Sequence, residues 1–82
     1  MKHIDYRTSN TCSQKLEFDL TDDNKIKNVK FYGGCNGNLK AIGKLVDGMD
    51  ANDVYKLLVG NTCGYKSTSC ADQLAQAIKK NL

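Results

Sequence analysis

The sequence predicts an α+β domain: a three-stranded antiparallel sheet followed by three helices packed on one of its faces. Two observations predict it. Apolar residues alternate with polar ones in three short segments between residues 4 and 31, and recur at helical spacing from residue 39 onward. The two periods never alternate, and strands followed by helices are the pattern of α+β rather than of a parallel α/β sheet. The chain has 82 residues with no internal repeat, linker or shift in composition, so residues 1–82 form a single domain.

Each element has its own signal. Ile4, Tyr6 and Thr8 alternate with Asp5 and Arg7 in a first half-buried strand. Residues 9–13, Ser-Asn-Thr-Cys-Ser, form a polar turn. Leu16, Phe18 and Leu20 alternate with Lys15, Glu17 and Asp19 in the clearest strand of the chain. Asp22-Asp23-Asn24 turns the chain, because short polar side chains bond their own backbone. Val29 and Phe31 face one way and Lys30 the other in a third strand. Gly33-Gly34-Cys35-Asn36-Gly37 ends it, and Leu39, Ile42, Gly43 and Val46 form a helical stripe that Gly48 terminates. Asp50 caps a second helix, with Asp53 three residues on and Met49 placed to pack against Val54. Val54, Leu57 and Leu58 are expected to face the core. The last helix opens at Ser69 or Cys70, carries Asp72 in its first turn and Lys79 and Lys80 in its last, and buries Ala71, Leu74, Ala75 and Ile78.

Composition narrows the function. No apolar run exceeds three residues, which is too short for a membrane span or a signal-peptide core, so a cytoplasmic protein is expected. The formal net charge is +3, but the basic residues are dispersed lysines with a single arginine, Arg7. Nucleic-acid binders concentrate such charge and add aromatic platforms, so direct nucleic-acid binding is not expected. The glycines at 33, 34 and 37 fit neither dinucleotide-binding nor P-loop spacing. His3 is the only imidazole; a solvated position is expected for it, and no histidine-based catalytic pair.

The strongest chemical signal is Cys12, Cys35, Cys63 and Cys70. In a reducing compartment, clustered thiols point to metal binding or redox chemistry rather than to disulfides. Their separations of 23, 28 and 7 positions include no zinc-knuckle pair. Their contexts say more: a turn, a helix approach, a loop and a helix start. A helix start favours a thiolate, the form that binds a soft metal. One reading is a four-thiolate site for Zn²⁺, with Cys12, Cys35, Cys63 and Cys70 as ligands. A second is a redox pair of Cys63 and Cys70, which share the shortest loop. A third is an interaction module whose cysteines are inert filling of the core.

Five segments carry a resemblance. They are Cys12-Ser13, Gly33-Gly34-Cys35-Asn36-Gly37-Asn38, Leu45-Val46-Asp47-Gly48-Met49, Cys63-Gly64, and Thr68-Ser69-Cys70-Ala71-Asp72-Gln73-Leu74-Ala75. In that order they resemble the TSCPD domain family over nearly the whole chain, with Ala71 where the family motif has proline. Alanine is tolerated at a first helical position, so that departure touches only helix rigidity. The resemblance implies a link to ribonucleotide reductase and deoxyribonucleotide synthesis, since such domains also close adenosylcobalamin-dependent reductases. It does not imply a complete ribonucleoside-diphosphate reductase: 82 residues cannot enclose substrate, radical cofactor and thiyl-forming cysteine. It implies an accessory domain, with a reductase or another protein as partner. A fainter likeness in element order is to U-type iron–sulfur scaffolds. There Cys12, Cys35 and Cys70 would match the three ligands, and an iron–sulfur cluster becomes the alternative to zinc. Gln14 and Ser69 depart from that pattern, and Cys63 would complete the site.

Overall fold

Three strands precede three helices in the computed structural model, which describes residues 1–8, 11, 13–33, 36–61 and 68–82. The strands are β1 (Lys2–Arg7), β2 (Ser13–Leu20) and β3 (Ile26–Gly33), and the helices are α1 (Asn36–Val46), α2 (Ala51–Leu58) and α3 (Cys70–Lys80). The sheet is antiparallel with β2 in the middle, so the predicted α+β architecture stands.

Alternation along the strands divides the sheet into two faces. Ile4, Leu16, Phe18, Leu20 and Ile26 are buried and form one cluster with Val46, Ala51, Val54, Leu74, Ala77 and Ile78 from the helices. His3, Asp5, Lys15, Glu17 and Asp19 stand between those apolar positions and face the other way. The helices thus cover one side, and charge covers the opposite one.

Two asparagines bend the sheet. Asn24 turns β2 into β3 with a φ of 61°, its N–H donating to Thr21 O at 2.9 Å. Asn28 lies inside β3 with a φ of 55°, where the β2–β3 register shifts between Glu17 and Asp19. Asparagine is among the few residues that accept this left-handed region. The result is a bulge that redirects the Asn28 side chain.

The connector between α1 and α2 covers the start of β3. Gly48, at a φ of 83°, donates its N–H to Ile26 O at 2.6 Å, and Ile26 N–H donates to Met49 O at 2.9 Å. Ala51 N–H adds a bond to Asn24 O at 2.8 Å. These bonds pair an edge that would otherwise be open. Further along, α1 approaches β3 so closely that a Cβ on Gly43 would lie 3.0 Å from the carbonyl oxygen of Val29. Gly43→Ala is expected to cost about 1–2 kcal/mol, because overpacking against sheet backbone outweighs the helix propensity of alanine. Urea unfolding measures it; a stabilised variant would show that α1 can retreat.

The helix caps follow the expected chemistry. Asp50 accepts from the N–H groups of Asn52 at 2.9 Å and Asp53 at 3.3 Å. Ser69 accepts from the N–H of Asp72 at 3.1 Å. One expectation fails. Leu57 is 67% exposed, while Ala51 and Val54 are buried and Tyr55 and Leu58 pack against the core. Ala51 and Tyr55 complete the i, i+3, i+4, i+7 stripe of α2, which turns Leu57 toward solvent.

Candidate metal centre

Of the four predicted ligands, Cys70 is described; Cys12, Cys35 and Cys63 lie outside the described residues. Cys70 is the first residue of α3, directly after its cap, and is half-buried. Its Sγ lies 3.2 Å from the Oγ of Ser13. These residues are 57 positions apart, so the contact is made by the tertiary fold.

The described neighbours of the other cysteines meet at the same place. Ser13, which follows Cys12, is 4% exposed and opens β2. Thr8 Oγ1 donates to its carbonyl at 2.6 Å and Thr11 Oγ1 at 3.2 Å, while Thr8 N–H reaches Gln14 O at 3.2 Å. Ser13 is paired across the sheet with Gly33, two positions before Cys35. On the helical side, Ser69 Oγ donates to the carbonyl of Asn61, two positions before Cys63. The connected series Asn61, Ser69, Cys70, Ser13, Gly33 thus holds described residues that lie, in the sequence, one or two positions from each of the other three cysteines.

Asp72 braces this arrangement. It is 4% exposed, yet its carboxylate accepts from Gly60 N–H at 2.7 Å, from Gln76 Nε2 at 2.7 Å, and from the hydroxyl of Thr68. Burial pushes its carboxyl up, but the bonds from Thr68, Gly60 and Gln76 together outweigh that and hold it below the ordinary aspartate value. Thr68 also accepts from Gln73 Nε2 at 2.9 Å. Asp72 therefore grips the chain just before residue 61 and at residue 68, so the segment bearing Cys63 is tied at both ends to the first turn of α3. In the run Thr68-Ser69-Cys70-Ala71-Asp72, three polar residues cap and lock the turn and the cysteine is presented beside Ser13. A helix-dipole role for Asp72 is legible in the sequence; its burial beneath Gly60 and Thr68 is not.

A second polar group, on the outer face of the sheet, was not expected. His3 is not simply solvated. Its Nδ1 lies 2.6 Å from Asp19 Oδ1, and its Nε2 is 3.7 Å from Glu17 and 3.9 Å from Asp5. The hydrogen bond to Asp19 raises the imidazole above its ordinary value, desolvation opposes this, and the charges of Asp19, Asp5 and Glu17 add to the rise. The alternation of β1 and β2 puts all four side chains outward. Only the register, His3 opposite Asp19 and Asp5 opposite Glu17, brings them together.

Among the described residues, no helix is long and apolar enough to cross a membrane. A family model for the TSCPD domain matches residues 2–82. No curated protein and no solved structure matches the chain.

Proposed function

The chain belongs to the TSCPD domain family, and from that premise we propose that it is a small cysteine-based metal-binding accessory domain serving ribonucleotide reduction. Cys12, Cys35, Cys63 and Cys70 would hold the ion, with Zn²⁺ the best match to a set of thiolates and an iron–sulfur cluster the alternative. The observation that carries the reading is the Ser13–Cys70 contact at 3.2 Å. It joins the neighbour of Cys12 to Cys70, while the pairing of Ser13 with Gly33 and the bond from Ser69 to Asn61 draw in the neighbours of Cys35 and Cys63. Donors contributed by separate elements fit a structural ion, which would cross-link sheet and helices that share only a small core. The link to a reductase rests on the family resemblance, and a cytoplasmic location on the short apolar runs of the sequence.

Protein purified under reducing conditions without chelator is expected to carry about one Zn²⁺ per chain, the content of a closed four-thiolate site. Cys70→Ser should lose most of it and melt at a lower temperature. Metal-free wild type whose melting ignores chelator would overturn the assignment.

A redox role for Cys63 and Cys70 is the second reading. The Ser69–Asn61 bond favours it, because it joins the residue just before Cys70 to one two positions before Cys63. It requires a defined reduction potential that either single serine variant abolishes.

A further inference from the structure

The outer face of the sheet carries a set of potential metal donors that differs in chemistry from the thiols. One atom each from His3, Asp5 and Glu17 lie within 4.8 Å of one another, and the imidazole Nε2 is 3.7 Å from Glu17 Oε2 and 3.9 Å from Asp5 Oδ2. We infer that His3, Asp5 and Glu17 form a binding site for a divalent first-row transition-metal ion such as Zn²⁺ or Co²⁺.

Three features support the site beyond proximity. First, each of two donors is oriented from outside the trio. Asp19 Oδ1 engages His3 Nδ1 at 2.6 Å, which leaves Nε2 directed at the two carboxylates. A carboxylate on the far nitrogen is the arrangement that fixes the tautomer of metal-bound histidines. Tyr32 donates its hydroxyl to Glu17 Oε1 at 2.8 Å, so the other oxygen, Oε2, is the one facing His3.

Second, the fold is bent to hold the orienting group. Asn28 Nδ2 donates to Asp19 Oδ2 at 2.9 Å, and it does so from the bulge where Asn28 adopts a φ of 55°. Asp47, from the end of α1, secures that bulge by accepting the Asn28 N–H at 3.0 Å. Both oxygens of Asp19 are thereby committed, one to the imidazole and one to the amide.

Third, the spacing suits an ion. Donors around a tetrahedral centre with bonds near 2.1 Å are about 3.4 Å apart, slightly closer than the present separations. The side chains of His3 and Asp5 are more than half exposed and can close that gap. Three protein donors leave one position for water. One imidazole with two carboxylates is a borderline-to-hard donor set.

Titration of isotopically labelled, reduced protein with Co²⁺ at mildly alkaline pH tests the inference by amide NMR. The expected result is paramagnetic perturbation centred on His3, Asp5 and Glu17, at least tenfold weaker in apparent affinity in His3→Gln and in Glu17→Gln. Both positions are on the outer face, and unperturbed spectra elsewhere show that the variants fold. Cys70→Ser should leave the perturbation at this face intact, so failure of the cysteine site and failure of this one give different spectra. Perturbation confined to the cysteine end, or unchanged at the outer face in His3→Gln, would overturn the assignment.

Discussion

Phe18→Ala lowers the unfolding free energy by about 3–5 kcal/mol, the range for truncating a buried aromatic side chain. Among the described residues Phe18 is the largest fully buried side chain, at 0% exposure, and it sits in the central strand. It pairs with Ile4 on one side and shares its cluster with residues of all three helices. A small domain is stable by roughly 0.05–0.15 kcal/mol per residue, so this one substitution removes a large part of the total. Equilibrium unfolding in urea should show a lower midpoint with little change in slope. Leu57→Ala, also a large apolar truncation, should change stability by less than about 0.5 kcal/mol, because its side chain is already in water. Equal effects of the two variants would refute the division into core and surface.

Asp72→Ala should cost about 3 kcal/mol, because the buried hydroxyl of Thr68 and the N–H of Gly60 lose a charged acceptor and Gln76 loses its partner. The pH dependence carries a sign. A carboxyl held below its ordinary value in the fold contributes stability that is present above about pH 4 and is lost as pH falls through the folded value. Glu17, Asp19 and Asp23 are also lowered and act in the same window, so the informative quantity is the difference between wild type and variant. That difference should shrink on acidification below pH 4 and stay level at neutral pH. Hydrogen exchange should accelerate at Gly60 and around Thr68 in the variant. If the proposed thiol site holds, metal content should fall less than in Cys70→Ser, because Asp72 grips Gly60 and Thr68 and is not among the proposed ligands. Wild-type exchange rates at Gly60 in Asp72→Ala would rule out the brace.

The order of elements could be read along the chain because it depends on local periodicity. Leu16, Phe18 and Leu20 have the period of a strand whatever they pack against, and Leu74 and Ile78 that of a helix. The caps at Asp50 and Ser69 are equally local, since a cap bonds N–H groups two or three residues away. The outward position of Leu57 is not local: a two-turn helix offers several candidate stripes, and packing against α3 and the shared core decides which is covered.

The two candidate sites differ in how much of them was legible. The cysteines drew attention by type and context, yet the contact of Cys70 with Ser13 spans 57 positions, and no local rule specifies it. His3 looked like a solvated terminal residue. Its environment depends on hairpin register and on a bulge at Asn28, each of which is a relation between strands.

The sequence by itself determined the α+β class, the helix caps, the family and the cysteines proposed as ligands, because each is written in neighbouring residues or in residue type. Only the tertiary structure decided which side chains meet: Ser13 with Cys70, Asp72 with Gly60, and His3 with Asp5, Glu17 and Asp19. Such meetings follow from strand register and from the docking of helices on a shared core, and those are settled by the packing of the whole chain at once.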